Sequence, residues 1–207
     1  MKTYNDSGWK EASTKAFQQQ FALNLRELND PPPHWRFFLE ELGRIRNLKR
    51  VVDIGCGVGS FSKLLRMWYG DVSYVGYDYS EAAIKTATAM WSEFGDFEKK
   101  DYHDICAEDI KDGDVIVANA LCDVLPDGDE CFNHILSLQA KNSIILRVRT
   151  TQKESYFEEY EAYGEINTYA FYHNEDGLDK MIKSNGYGPP RFNYYSDNMI
   201  NLHLEKE

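Results

Sequence analysis

Val51-Val52-Asp53-Ile54-Gly55-Cys56-Gly57-Val58-Gly59-Ser60 is the stretch whose reading decides the fold. A short strand-like run, Val51 to Ile54, leads straight into three glycines at alternate positions. A helical pattern begins at Ser60. This is the order of a buried parallel strand, a tight turn and a helix start. Glycine reaches positive φ and carries no Cβ, so a ligand can lie against its backbone. The helix behind the turn offers unpaired N–H groups and a partial positive charge. Asp53 adds a carboxylate at the strand's end. Two readings follow: a cofactor cradle, or a Gly-rich loop that only packs one helix on one strand.

Working outward, the pattern stays regular. The first strand covers Arg50 to Ile54 and its helix Ser60 to Tyr69. A second strand, Val72 to Asp78, leads to Ser80, which caps a helix through Phe94 with Glu81 in its first turn. Phe97 to Lys100 is a short third strand, followed by Asp101-Tyr102-His103-Asp104. Val115 to Ala118 is a fourth, Asp129 to Leu138 a helix, and Ser143 to Arg149 a fifth strand. Short apolar strands alternating with helices predict an α/β fold, a mostly parallel sheet with helices on both faces.

The flanks differ. Glu11 to Leu28 carries Phe17, Phe21, Ala22, Leu25 and Leu28 at helical spacing. The prolines at 31–33 end that helix. A second helix begins near His34 with Trp35, Phe38, Leu39, Leu42 and Ile45. Neither belongs to a strand–helix repeat, so both read as an N-terminal lid or flank. Tyr4, Trp9, His34 and Trp35 are either pocket-lining or plain packing groups. Beyond Thr150, Tyr156, Phe157, Tyr160 and Tyr163 recur at helical spacing, and Thr168 to His173 is extended. Asn174 caps a helix from Glu175 to Ser184. Arg191 to Tyr195 and Met199 to Leu204 are strands joined by a hairpin turn at Ser196-Asp197-Asn198. No internal repeat or linker is visible. Residues 1–207 therefore read as a single domain: a helical lid over 1–49, a core over 50–149, and an aromatic-rich cap with a C-terminal hairpin over 150–207.

The totals exclude some function classes. A chain of 207 residues fits one domain with a substantial core. A net charge of −11 argues against a nucleic-acid partner, which needs a basic face. No run approaches the roughly 20 apolar residues of a membrane span. Met1 to Lys10 lacks the apolar core of a signal peptide. Cys56, Cys106, Cys122 and Cys131 have neither CxxC spacing nor disulfide density, which fits reduced thiols in the cytoplasm. His103, Asp104 and Cys106 lie close together, but no second pair at zinc-type spacing accompanies them, so no metal is expected.

The glycine spacing selects the ligand. A nicotinamide turn reads G-x-G-x-x-G. Counted from Gly55, its third glycine falls on Ser60, whereas this chain has Gly59. The acid also stands before the glycines. Val51 to Gly59 is similar to the first signature of class I S-adenosylmethionine (SAM) methyltransferases, and Gly76-Tyr77-Asp78-Tyr79-Ser80 resembles the second. The resemblance covers roughly Arg50 to the C-terminus. It implies a three-layer α/β/α sandwich whose seven-stranded sheet ends in an antiparallel C-terminal hairpin strand. It implies SAM as cofactor, held by Asp53, Gly55, Gly57, Gly59, Asp78, Tyr79, Asp101, Tyr102 and Asn119. Asp78 would accept bonds from the ribose hydroxyls, Asp101 would sit near the adenine amine with Tyr102 packed on the ring, and Asn119 would lie beside the methionine part.

The expected activity is transfer of the sulfonium methyl to a small-molecule acceptor. Asn119-Ala120-Leu121-Cys122 lacks the Pro-Pro-Tyr of enzymes that methylate nucleic-acid bases. The alternatives are an aminopropyl-type transferase or a non-catalytic SAM-binding module on the same fold. Asp123 and Asp127 read as surface and helix-start acids. Tyr156, Tyr160, Tyr163, Tyr169 and Tyr172 are candidates for an acceptor wall or a cap that only excludes water. No dedicated base is legible; His173 is the candidate, or else a surface histidine before a helix.

Overall fold

The structure, a computed structural model, describes residues 8–12, 14–196 and 198–207. Tyr4 and Asp197 lie outside the described residues. The strands and helices alternate as expected through the centre of the chain. β1 (Arg50–Ile54), β2 (Ser73–Asp78), β3 (Asp96–Lys99), β4 (Asp114–Asn119) and β5 (Asn142–Thr151) are parallel neighbours in the order β3-β2-β1-β4-β5. The order reverses between β1 and β4, so their carboxyl ends part and leave a crevice.

Side chains alternate across the sheet. Val51, Val115, Val117, Ile144 and Leu146 face α2 (Pro33–Arg44) and α3 (Ser60–Tyr69). Val52, Ile54, Ile116, Ala118 and Ile145 face α5 (Gly128–Ser137) and α6 (Glu175–Ser184). The outcome is the three-layer sandwich. α4 (Glu81–Trp91) starts at Ser80, whose hydroxyl accepts the Ala83 N–H. β9 (Met199–Glu205) pairs antiparallel with β5, and β8 (Arg191–Ser196) with β9. β3-β2-β1-β4-β5-β9-β8 is thus the expected seven-stranded arrangement. No helix among the described residues is long and apolar enough to cross a membrane.

One element departs from the sequence reading. The tyrosine-rich segment after Thr150 is no helix. It is the strand β6 (Tyr156–Ala162), paired antiparallel with β7 (Ile166–Asn174). Aromatic residues four apart share a face in a strand as well as in a helix, so Tyr156 and Tyr160 could not discriminate the two. The hairpin brings the sheet to nine strands. Its place is set by β5. Arg149 pairs with Met199 on one edge and with Tyr172 on the other. β7 therefore continues the β5 edge that β4 leaves at Leu146, above the crevice. The exposed outer strand carries Glu158, Glu159 and Glu161, charges that discourage pairing with another chain.

The N-terminal helix also differs in detail. α1 (Thr14–Asn29) buries Ala16, Phe17 and Leu28, while Ala22 and Leu25 are exposed. Its other stripe, Phe17, Gln20, Asn24 and Glu27, lines the cavity described below.

Gly59 is the glycine that packing requires. Its φ is 74°, and a Cβ there would stand 2.5 Å from the Phe97 ring and 2.9 Å from Ala87 Cβ. Gly59→Val should lower stability by roughly 2–4 kcal/mol, from overpacking plus backbone strain. Gly113→Ala is the control: its φ is 86° with nothing within 4 Å. That change should cost only about 1 kcal/mol. Urea unfolding of the two variants measures the difference.

Candidate functional site

The turn after β1 is fastened to the end of β2. Gly55 and Cys56 donate their N–H groups to the Tyr77 carbonyl at 2.8 and 3.0 Å. Gly57 N–H donates to Asp78 Oδ2 at 2.9 Å, and Ser80 N–H to Oδ1 at 2.8 Å. Asp78 is thereby aimed at the turn from the neighbouring strand. Burial pushes its carboxyl up to about 6 against the pull of those two N–H groups, with Asp101 adding to the rise.

Two cavities open from this point. The larger, about 410 Å³, runs from Gly55, Gly57, Asp78 and Tyr79 past Asn119 and Ala120 to Arg147, His34 and Tyr195. The smaller, about 40 Å³, lies on the β3 side and is lined by Asp78, Tyr79, Lys100, Asp101 and Tyr102. Most of the expected residues are brought together here. Asp101 caps the turn at Tyr102–Asp104 by accepting the His103 N–H at 3.2 Å. Tyr102 is buried, donates its hydroxyl to Asp127 and lies against His103 with ring centroids 3.9 Å apart. Asn119 closes β4, and its side-chain oxygen is buried without a hydrogen-bond partner. A buried amide oxygen left this way needs a donor. The cavities thus join a carboxylate at Asp78, the rings of Tyr79 and Tyr102, and the buried Asn119 oxygen around one glycine turn.

Three expected residues stand elsewhere. Gly59 packs α3 on Phe97 and lines neither cavity. Asp53 is fully buried on the Val51 face, behind the turn. Tyr74 donates its hydroxyl to Oδ2 at 2.5 Å, while Oδ1 has no partner. Asp53 supports the turn from below and presents no oxygen to either cavity. His173 is also fully buried: strand alternation turns it towards α5, between Phe132 and Phe171, with Nδ1 2.7 Å from Asp129 Oδ1. It cannot serve the acceptor as a base.

The aromatic wall is likewise rearranged. Tyr160 and Tyr163 line the larger cavity, joined by Tyr195 from β8. Tyr156 instead stacks on Tyr172 at 4.7 Å, and Tyr169 packs edge-on against Phe157. Trp9, His34 and Trp35 are lining groups.

The acceptor end holds what the sequence reading missed. Asp123 is fully buried rather than at the surface. Arg147 Nε donates to its Oδ2 at 3.1 Å, and Arg149 Nη1 at 2.7 Å. Arg147 has φ 63° at an irregularity in β5, and Ala120 beside it has φ 51°. Each such residue costs on the order of 1–3 kcal/mol, and such strain clusters at functional sites. Ala120 donates its N–H to the Leu146 carbonyl, which ties the two deviations together. A signal was present in Ile144-Ile145-Leu146-Arg147-Val148-Arg149: charges at the end of a buried strand need a reason. His34, on the first turn of α2, is pulled down to about 4 by burial and by Arg147, so it stays neutral at pH 7. Burial and Asp78 hold the Cys56 thiol protonated.

The comparisons with known proteins agree with this fold. A family profile described as "Methyltransferase domain" matches residues 45–186. Trans-aconitate 2-methyltransferase of Escherichia coli O139:H28 is 34% identical over 102 residues, 48% of this chain and 39% of the relative. The matched stretch thus spans about two fifths of that relative's length. Magnesium protoporphyrin IX methyltransferase of Synechocystis PCC 6803, solved with bound SAM, superposes with a TM-score of 0.59 at 18% identity, covering 92% of this chain and 84% of that one. A SAM-dependent methyltransferase of Clostridium acetobutylicum gives 0.63 at 14% identity, covering 91% and 98%. At such identities the likeness to the solved structures is one of fold.

Asp53 makes the site's scaffold sensitive to pH. Burial raises its carboxyl to about 7, against the Tyr74 hydroxyl, with Asp78 adding to the rise. The unfolded chain ionises near the ordinary value of about 4. Between these values the native state keeps a proton that the unfolded state has released, so stability falls as pH rises from about 4 to about 7, then levels. Urea unfolding of Asp53→Asn at pH 5 and pH 8 should show a smaller loss between the two than the wild type. Asp78, shifted the same way, leaves a residual slope.

Proposed function

The chain belongs to the methyltransferase-domain family of class I, SAM-dependent methyltransferases, and on that premise we propose that its larger cavity joins a SAM site to the chamber of a small-molecule methyl acceptor. Gly55, Gly57, Asp78, Tyr79, Asp101, Tyr102 and Asn119 hold SAM in this reading. The segment over 1–49 acts as its lid, 50–149 as the SAM-binding core, and 150–207 as the aromatic cap. Bound there, SAM supplies a methyl group on sulfur, ready to pass to an acceptor lone pair as the carbon–sulfur bond breaks and its electrons return to sulfur.

The observation that carries the proposal is one continuous cavity lined by Asp78, the glycine turn, the unpartnered Asn119 oxygen and Arg147. The chain's own work is alignment. Asp78 accepts hydroxyl donors, Asn119 accepts an N–H donor, and the turn allows close approach. Holding two reactants in line supplies at most about 7–11 kcal/mol of the barrier. Trp9, Trp35, Tyr160, Tyr163 and Tyr195 exclude water from the chamber, and their ring faces favour a cation. His34 is a neutral imidazole there, and its buried Nδ1 has no hydrogen-bond partner among the described residues, so it is open to a hydrogen bond from the acceptor.

The acidic net charge of −11 supports a small molecule over a nucleic-acid base as acceptor. An aminopropyl-type reaction would call for acids around an amine, and the far end of the chamber instead holds a guanidinium. The relative that is 34% identical is named a trans-aconitate 2-methyltransferase, and trans-aconitate is a small compound.

Isothermal titration with S-adenosylhomocysteine tests the reading, and no binding would overturn it. Asp78→Ala should weaken that binding by about tenfold or more, since bonds to a charged acceptor contribute about 1.5–3 kcal/mol. The variant should still unfold cooperatively, with a lowered thermal midpoint for the two backbone N–H groups it strands. Unchanged affinity would move the site elsewhere.

A further inference from the structure

Arg147 is the one lysine or arginine among the described residues lining the larger cavity. The fold holds it there deliberately. β5 deviates between Ile145 and Val148, and Arg147 takes φ 63°. Its N–H donates at 2.8 Å to Oδ1 of Asn201, a fully buried residue that in turn donates to Asn193 at 2.7 Å. The backbone is therefore fixed at this irregularity in β5.

The pairing of its guanidinium is incomplete. Arg147 and Arg149 share the single Asp123 carboxylate. Arg147 uses only Nε on it, so its two terminal nitrogens face the chamber. Among the described residues no other charged group lining the chamber forms an ion pair with Arg147. Glu27 accepts from Asn24 Nδ2 at 2.8 Å, and Asp78 from two backbone N–H groups. His34 donates no compensating negative charge. Burial raises the Tyr163 hydroxyl above its ordinary value, so it adds no negative charge. A partly desolvated guanidinium with a free edge is a fork shaped for a carboxylate.

Its position decides which molecule brings that carboxylate. Asp78, the glycine turn and Asn119 sit at the ends of β2, β1 and β4. Arg147 sits one strand further, beyond Leu146, which pairs with Asn119. Neighbouring strands are about 4.8 Å apart. The guanidinium thus lies past the cofactor path, on the acceptor side.

We propose that Arg147 forms an anion-binding subsite of the acceptor chamber and that the methyl acceptor is a small organic acid. The inference rests on reading the cavity as a SAM site. The carboxylate held by Arg147 is one that stays charged throughout. A guanidinium on the attacking oxygen would stabilise the acceptor before transfer and lose its partner on methylation, which raises the barrier. The attacking atom is therefore another atom of the same molecule, turned towards Asn119 and Ala120.

Isothermal titration of the full chain, with and without saturating S-adenosylhomocysteine, tests this. The probes are acetate, succinate, glutarate and benzoate, each against its amide. At least one acid should bind about tenfold or more tightly than its amide. Arg147→Met should abolish that preference and Arg147→Lys should keep part of it. Affinity for S-adenosylhomocysteine should stay within about twofold in both variants. If Arg147→Met fails to fold because Asp123 is stranded, Arg147→Met with Asp123→Asn removes the stranded charge and is measured instead. Acids and amides binding alike, no acid binding, or an undiminished preference in the variant would each overturn the subsite. A parallel loss of S-adenosylhomocysteine affinity in Arg147→Met would overturn it too, assigning the guanidinium to the cofactor's own carboxylate. Failure of the wild type to bind S-adenosylhomocysteine, with the acid preference intact in its absence, would instead remove the SAM reading and leave the anion subsite standing.

Discussion

Four backbone N–H groups converge on the end of β2. Gly55 and Cys56 reach the Tyr77 carbonyl, and Gly57 and Ser80 reach the two Asp78 oxygens. This clasp sets the turn after β1 at one height relative to its neighbour. Without it the glycines would be a free loop, since each has lost more chain entropy on ordering than any other residue would. With it, the turn, the Asp78 carboxylate and the start of α3 form one rigid edge of the crevice. The other edge is the end of β4, where Ala120 and Arg147 are joined through the Leu146 carbonyl. The crevice lies between two stiff borders rather than within a loop.

Burial gives the acids of this region different roles. Asp53 and Asp78 stand near the same turn, yet one is sealed and the other faces the cavity. The difference follows from alternation along β1: a two-residue step puts Asp53 on the side of Val51, under the turn, where the Tyr74 hydroxyl donates to it. Asp123 is a third case. A fully buried carboxylate is costly alone, and two arginines hold it in place. That arrangement also settles where Arg147 points, so a structural ion cluster and the chemistry of the chamber are coupled.

Much of the sheet was legible because local rules and global fold agree there. Strand, glycine turn and helix follow one another at short range, and Ser80 and Asn174 cap helices as their side chains predict. β6 was misread because Tyr156 and Tyr160 satisfy both periods, and only pairing with β7, whose Thr168 to His173 is extended as expected, decides between them. The stripe on α1 was misassigned for a related reason. Phe17 and Leu28 are buried, but Leu25 is exposed because the helix turns Gln20, Asn24 and Glu27 to a cavity rather than to the core. His173 looked available because it precedes a helix, while its neighbours in space come from α5.

By itself the sequence determined the α/β alternation, the glycine turn at the end of β1 and the acid at the end of β2, because each is encoded within a few consecutive residues. Tertiary structure alone decided that Gly59 packs while Gly57 borders the cavity, that Asp53 is sealed, and that Arg147 reaches the chamber. Those outcomes depend on Phe97, Tyr74, Asn201 and Asp123, residues distant along the chain that meet only when the strands pair. A strand's period says which face a side chain takes; what waits on that face is set by the layers that close over it.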